Sequence, residues 1–234
     1  MYTANLEEKA DEHGVNYNAF ADDTQLNERC RCDDTPTAVG KLEHCVTDIN
    51  YWMSAHRFKQ NTEKTKLLWS GSKYSLSKLD GRGPTIKFGS DTIEAIGHVR
   101  VLGVIMSSDL SLEKHVSTVS ATCFFHLRQI CRVQQSLNVG SAKTLVQAFV
   151  TSLDDYCNAV LVESPRVITN KLQRVTNSAA RIVTNTRKYD SGLSRLMHDE
   201  FHWLDVTDRV GLRFKPPVLM MSPSNCFAVL DKQL

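Results

Sequence analysis

The order of hydrophobic patterns along the 234 residues predicts an α+β protein with strands in its first half and a helical second half. Three observations support this prediction: a helical stripe over 35–55, short β-branched runs between 85 and 106, and helical periodicity beyond 109. Hydrophobic residues make up 41% of the chain and charged residues 23%. That balance excludes a wholly disordered, collagen-like or coiled-coil protein.

The first element with a clear pattern is a short hairpin. Tyr17 to Phe20 is a strand candidate with aromatic residues at both ends, and a second extended run starts at Gln25. Asp22 and Asp23 lie between the two runs. Aspartate tolerates turn conformations because its side chain bonds the local backbone. The spacing therefore predicts a tight turn that carries two carboxylates.

Residues 35–55 form the clearest predicted helix. Thr35 can cap it, and Pro36 suits its first turn. Its apolar positions recur with the helical period: Val39, Leu42, Cys45, Val46, Ile49, Trp52 and Met53. A strand is expected at 65–69, followed by a loop at 72–84 that contains Ser, Gly and Pro.

Three short strands and then three helices complete the predicted order. The strands are expected at 85–88, 92–95 and 99–106. Apolar stripes predict the helices: Leu112, Val116, Val119, Cys123, Leu127 and Ile130; then Ala142, Leu145, Phe149 and Leu153; then Ile168, Leu172, Val175, Ala179 and Ile182. The stretch from 215 onward shows no periodicity, and we expect an irregular tail at 215–234.

Charge is divided unevenly along the chain, although the net charge is only +2. Residues 1–48 carry a net charge of −7, residues 49–117 carry +4, and residues 118–215 carry +5. This division suits an acidic element attached to a basic body that faces nucleic acid. Ordinary solvated surface is the simpler explanation of the same division, so charge alone names no partner.

The cysteines and the N-terminus predict an intracellular protein of the cytoplasm or nucleus, not a secreted one. Seven cysteines is an odd number, and no signal peptide precedes them. Cys30 and Cys32 lie close together, but no second pair follows at the spacing of a zinc site. No zinc is therefore expected. No run of 18 apolar residues occurs, so no membrane contact is expected either.

The segment from Phe20 to Leu26, Phe-Ala-Asp-Asp-Thr-Gln-Leu, resembles the catalytic hairpin of reverse transcriptases from LINE-type non-LTR retrotransposons, in the jockey-like and chicken-repeat-like groups. Five more segments resemble that family in the same order: Trp52-Met53 with Asn61, Lys64 and Thr65; 99–104 with Asp109-Leu110 and His115; 155–158 (Asp-Tyr-Cys-Asn); Gln173-Arg174 with 177–181; and 202–204 (His-Trp-Leu) with Asp208-Arg209. The resemblance runs from about residue 1 to about residue 214.

The resemblance implies an RNA-directed DNA polymerase that acts on an RNA template and a DNA primer. It assigns 1–108 to a partial polymerase palm and 109–214 to a helical thumb and connection region. Asp22 and Asp23 would be catalytic carboxylates that hold two Mg²⁺ ions, with Mn²⁺ as the alternative. Phe20, Ala21, Thr24 and Gln25 would support the hairpin, with Phe20 providing aromatic packing.

Other positions receive roles from the same resemblance. Lys64 would lie near the incoming triphosphate, as a general acid or simply as a surface lysine beside a strand. Leu102 and Gly103 would belong to a hairpin resembling the primer grip, or mark a kink in a strand. Lys171, Arg174 and Arg181 share a helical stripe that suits the phosphate backbone, although a solvated charged face has the same spacing.

The departures from the family predict that this chain is inactive by itself. Palm polymerases need a further metal-binding Asp from an earlier strand and a nucleotide-selection segment, and neither lies in the residues before Asp22. Asp154 also stands where the family has Leu, beside Asp155 on an expected polar helix face. The chain then reads as the C-terminal part of such an enzyme. The alternatives are a non-catalytic nucleic-acid-binding remnant and a pseudogene product without function.

Overall fold

The computed structural model describes residues 4–20, 23–58, 62–79, 83–89, 91–162, 164–187, 190–213 and 225–233. Helices and small antiparallel sheets occur together in it, so the predicted α+β class is confirmed. The chain divides into two compact units. The first comprises Met1–Ser111 with Met220–Leu234, and the second comprises Leu112–Leu219.

The first unit contains the described strands and the earlier helices. Its helices are α1 (Ala4–Glu12), α2 (Thr35–Ala55) and α3 (Lys73–Lys78). Its strands are β1 (Asn16–Phe20), β2 (Asp23–Arg31), β3 (Lys66–Gly71), β4 (Ile86–Phe88), β5 (Asp91–Ile93), β6 (His98–Val101), β7 (Val104–Ser107) and β8 (Asn225–Gln233).

Four strands form the main sheet in the order β1-β2-β8-β3, and every neighbouring pair is antiparallel. One row of cross-strand partners runs through Tyr17, Leu26, Leu230 and Leu67. The three leucines are fully buried and pack with apolar side chains of α1 and α2 in one core. The helices therefore cover one face of the sheet, because alternate residues of a strand point to opposite faces.

The predicted irregular tail is wrong for residues 225–233. These residues form β8, which lies between β2 and β3 inside the sheet. Cys226, Ala228 and Leu230 alternate along the strand and are each 0% exposed. A buried alternation of only three residues, one of them alanine, is too short to stand out after a proline-rich stretch.

The structure also corrects three local predictions, which concern a helix cap, a loop and a strand. Helix α2 has the predicted bounds, but Thr35 does not cap it; its hydroxyl donates to the Cys32 carbonyl at 2.8 Å. The expected loop at 72–84 contains α3, whose amide at Ser75 donates to the Ser72 hydroxyl. The expected strand 99–106 is two strands, β6 and β7, joined by a tight turn.

The second unit is helical. It contains α4 (Glu113–Val133), α5 (Val139–Val146), α6 (Ser152–Asp155), α7 (Arg166–Thr184), α8 (Leu193–Arg195) and α9 (Val206–Arg213), with π-helical segments at Gln147–Thr151 and Leu196–Glu200. The predicted stripes of α4 and α7 are confirmed, since Cys123, Leu127, Leu172 and Val175 are buried.

The predicted apolar face of the second helix is confirmed at Ala142, which is buried, and at Leu145, which packs against the core, but it is wrong at Phe149 and Leu153. Val146 and Val150 are buried there, whereas Phe149 and Leu153 are 48% and 36% exposed. The π-helical segment at Gln147–Thr151 changes the helical phase, so a regular 3.6-residue count misplaces the inward side chains. In the part of the chain that the structure describes, no helix is long and apolar enough to cross a membrane.

Candidate functional site

The predicted hairpin is present, and one of its two carboxylates is described. Phe20 pairs with Asp23 at the end of the β1–β2 ladder, so only residues 21 and 22 connect the strands. Ala21 and Asp22 lie outside the described residues. Asp23 is the first residue of β2, and its side chain is partly exposed. Asp23 therefore stands at the end of the β1–β2 ladder, next to the predicted turn.

The residues expected to support the hairpin differ in environment. Thr24 is 2% exposed and belongs to the buried face of the sheet. Phe20 is 66% exposed, so the expected aromatic packing at this position is wrong. Strand alternation explains this exposure, because Phe20 lies on the face opposite the buried Thr24 and Leu26. Gln25 lies on the face opposite Thr24, where it pairs with Asn18 in β1.

Strand β8 adds an unanticipated carboxylate, Asp231, to the face that carries Asp23. Asp231 is the cross-strand partner of Gln25 in β2 and of Lys66 in β3, and Asp23 pairs two residues further along β8. Diagonal neighbours of this kind interact through their side chains. Burial raises the pKa of Asp231, and the charge of Asp23 raises it further. A hydrogen bond with Gln25 and the charge of Lys66 partly oppose the rise.

Lys64 lies in a 3₁₀ turn, Thr62–Lys64, directly before β3, and its side chain is exposed. It lies two residues before Lys66, the first residue of β3, which belongs to the same sheet as the hairpin. Its exposure is compatible both with a role near a triphosphate and with an ordinary surface lysine.

Leu102 and Gly103 form the turn between β6 and β7. Val101 pairs with Val104, and the two turn residues have φ values of 44° and 86°. Two consecutive positive φ angles characterise the tight turn that best joins antiparallel strands. Glycine adopts such a conformation readily, whereas leucine does so at a cost. The Gly103 position thus belongs to a hairpin rather than to a kinked strand.

The basic residues of α7 are not equivalent. The Lys171 ammonium group donates to the Glu113 carboxylate at 2.9 Å and to the Ser117 hydroxyl at 3.0 Å. Arg174 is exposed. The buried Nε of Arg181 has no hydrogen-bond partner among the described residues. Of the three, Arg174 has the environment of a side chain that can meet a phosphate in solution.

Sequence reasoning missed a charged cluster in the second unit. Asp154 was expected on a polar helix face, but it is only 6% exposed. The Arg209 guanidinium donates to Asp154 Oδ2 at 2.6 Å and also binds Asp155. Burial raises the pKa of Asp154, while the charge of Arg209 and its hydrogen bond act in the opposite direction. Two features of the sequence could have indicated this cluster: Asp154 stands where a Leu was expected, and Arg209 follows in a later segment.

Three thiols meet in the first unit. Cys30 pairs with Cys226 across β2 and β8, and the Sγ atoms of Cys32 and Cys226 are 2.9 Å apart. Burial raises the pKa of Cys226 to about 12, with Cys32 as the next cause. Among the residues that the structure describes, no three His, Cys, Asp or Glu side chains form a group that could hold a metal ion. Asp22 lies outside the described residues, so this statement does not cover it.

Comparisons with known proteins add no relative. No protein-family model matches the chain, and neither a curated protein nor a solved structure matches it significantly.

Proposed function

We propose that this chain is the part of a LINE-type reverse transcriptase that runs from the catalytic hairpin through the thumb and connection region. The observation that carries the proposal is the hairpin, because Asp23 begins β2 directly after the two-residue connection between two antiparallel strands. Helices on one face of that sheet and a separate helical unit after it support the assignment to palm and thumb.

In this proposal Asp22 and Asp23 hold Mg²⁺, or Mn²⁺, in the intact protein. Bound divalent ions would stabilise the attacking and leaving oxygens of nucleotidyl transfer. The chemistry of the donors fits, since Asp23 shares its face of the sheet with Asp231 and carboxylate oxygens are the ligands that Mg²⁺ prefers. The residues of this chain would position the ions and the primer: the hairpin carries the carboxylates, and the Leu102–Gly103 turn resembles the primer grip.

The activity test is template-dependent incorporation of dNTPs on a primed RNA in the presence of Mg²⁺. We expect no incorporation by this chain, because the family's nucleotide-selection segment and earlier metal-binding Asp are absent from the residues before Asp22. Asp23→Asn is the matched control for any background signal. Incorporation by the wild-type chain that Asp23→Asn abolishes would contradict the predicted inactivity and would establish polymerase function.

A second candidate function is nucleic-acid binding without catalysis, and the exposure of Arg174 favours it. We expect an RNA–DNA hybrid to bind in a salt-dependent manner, because released counterions drive binding to phosphates. Arg174→Glu should weaken binding and lower the salt slope by about 1, the change expected for one lost phosphate contact. Fluorescence anisotropy of a labelled hybrid across a salt series measures both quantities.

The matched control is Arg195→Glu, which reverses a charge elsewhere in the same unit, on a side chain that is 87% exposed. Arg174 is a cleaner position than Arg181, whose partly buried side chain could disturb folding when reversed. Equal losses for Arg174→Glu and Arg195→Glu would indicate a general charge effect. Unchanged affinity for Arg174→Glu would remove α7 from the proposed nucleic-acid surface.

A further inference from the structure

Three segments that are distant in sequence meet around Arg209 in the second unit. They are Asp154–Asn158, Val175–Ala179 on α7, and His202–Arg209. Together with residues of the π-helical segment Gln147–Thr151 they enclose a cavity of about 280 Å³. The proposed polymerase function gives this cavity no role.

The polar wall of the cavity carries an excess of negative charge. Asp154 and Asp155 both contact the single guanidinium of Arg209, and Arg209 also lies 3.3 Å from the Thr176 hydroxyl. The side chain of Asp154 is 3% exposed and that of Arg209 is 16% exposed, so this charge is held away from bulk water. Two carboxylates against one guanidinium favour a cationic ligand and disfavour an anionic one.

One oxygen of this wall is left unsatisfied. Asp154 Oδ2 accepts from Arg209 and from Thr176, whereas Asp154 Oδ1 is buried and has no hydrogen-bond partner among the described residues. A buried carboxylate oxygen without a partner costs free energy, and such groups in folded proteins call for an explanation. Asp154 and Asp155 both line the cavity, so a ligand that enters it meets this pair of carboxyl groups.

The remaining wall is apolar and partly aromatic. Val150, Val175 and Ala179 are at most 2% exposed, and the half-buried Trp203 and the exposed Leu204 line the same cavity. An apolar cavity of about 150 Å³ holds a benzene ring, so this one has room for a ring with a substituent. An indole also attracts a cation placed over its face.

We propose that this cavity binds a small primary amine, whose ammonium group donates to Asp154 and whose apolar or aromatic body packs against Trp203 and the valines. The positive charge of the ammonium group matches the excess carboxylate. Its N–H groups supply donors for the carboxyl groups that line the cavity. A phosphate-bearing ligand would face the same carboxylates and is disfavoured.

The test titrates the full chain with three probes of similar shape, using calorimetry and saturation-transfer NMR. Benzylamine has the charge, the N–H donors and the ring. Benzyltrimethylammonium keeps the charge without a donor, and benzyl alcohol keeps the ring without the charge. We expect benzylamine to bind at least about tenfold more tightly than either of the others, the ratio typical of one charge-assisted hydrogen bond. Equal affinities for the three probes, or no saturable binding of benzylamine, would overturn the proposal.

Variants then locate the binding site. Asp154→Asn should weaken benzylamine binding by about tenfold or more, while Asp199→Asn, at an exposed acid of the same unit, should leave it unchanged. Thr151→Phe, at a half-exposed lining residue, should block the cavity even if Asp154→Asn folds poorly. Full benzylamine affinity in Thr151→Phe would place binding elsewhere and refute the assignment.

Discussion

The two units hold segments that are distant in sequence together in different ways. The first unit is completed by β8, a strand from the far end of the chain that pairs through its backbone with β2 and β3. In the second unit, beside its apolar clusters, one arginine of α9, Arg209, binds both Asp154 and Asp155. Backbone pairing tolerates many side chains, whereas a buried ion cluster depends on each of its members.

This difference predicts that mutations lower the stability of the two units in different ways. In the first unit, we expect the largest loss when the whole strand is removed, and a smaller loss when one buried side chain such as Leu230 is truncated. In the second unit, we expect a large loss from one side chain, because a buried carboxylate left without its partner is costly. The three tryptophans allow the units to be followed separately, since Trp52 and Trp69 lie in the first and Trp203 in the second.

Truncating the chain after residue 224 should cause the largest loss of stability. The first unit would lose its inner strand and the buried Leu230, and we expect it to lose cooperative unfolding. The milder change Leu230→Ala should lower the free energy of unfolding by about 2–5 kcal/mol. Urea titrations followed by tryptophan fluorescence in a Trp203→Phe background would measure both changes.

The control for the shortened chain is the same deletion in a Trp52→Phe/Trp69→Phe background. There the fluorescence reports the second unit alone, and we expect its transition to be unchanged. A shortened chain whose first unit still unfolds cooperatively with wild-type stability would show that β8 contributes little to the sheet.

Arg209→Ala should have the next largest effect, a loss of about 3–5 kcal/mol confined to the second unit. The loss should shrink as the pH falls. Burial already raises the pKa of Asp154, and removing Arg209 raises it further, so protonation relieves the penalty in acid. Urea unfolding of the second unit at pH 7 and near pH 4 would test both statements. An equal loss at both pH values would mean that Asp154 charge is not the cause.

Oxidation of Cys32 and Cys226 should tie β8 covalently to the segment before α2. Their Sγ atoms are 2.9 Å apart, so a small shift allows a disulfide, with the two hydrogens passing to an oxidant such as diamide. We expect stabilisation of the first unit by about 2–4 kcal/mol. Because burial raises the pKa of Cys226 to about 12, the reaction should be slow at pH 7 and faster at higher pH.

Peptide mapping without reduction would identify the bond. Cys226→Ser should remove both the cross-link and the stabilisation, and blocking the exposed Cys131 first would prevent bonds between molecules. A map dominated by bonds of Cys226 to cysteines other than Cys32 would contradict the arrangement of thiols around β8.

Strong local periodicity explains what could be predicted from the sequence. The stripe from Leu42 to Met53 belongs to one long helix, α2, and both its bounds and its buried face agree with the prediction. The hairpin before Leu26 was predictable because a two-residue turn is a local structure. The stripes of α4 and α7 were predictable for the same reason as that of α2.

The features that were missed depend on distant partners or on irregular geometry. The burial of Cys226, Ala228 and Leu230 is created by β2 and β3, which precede β8 by some two thirds of the chain or more. The inward position of Val150 follows from a π-helical segment, which no regular period anticipates. The burial of Asp154 requires Arg209, and the sequence carries no rule that pairs these two positions.

Asp231→Asn should have the smallest effect and the opposite sign, a gain in stability. Because burial and the charge of Asp23 raise the pKa of Asp231, the carboxylate is disfavoured in the folded state above its unfolded pKa of about 4. At pH 7 the amide avoids this penalty, and we expect the melting temperature to rise by roughly 1–2 °C. Thermal scans at pH 7 and pH 3 would measure the change, with the exposed Asp11→Asn as control.

The gain should vanish at pH 3, where Asp231 is protonated in both the folded and the unfolded chain. Added Mg²⁺ should also reduce it at pH 7, because a cation held at Asp23 would offset the negative charge that Asp231 faces. A gain that persists at pH 3 would mean that packing, not charge, separates the two side chains. A gain at pH 7 that Mg²⁺ leaves unchanged would show that this chain alone does not hold a cation beside Asp23.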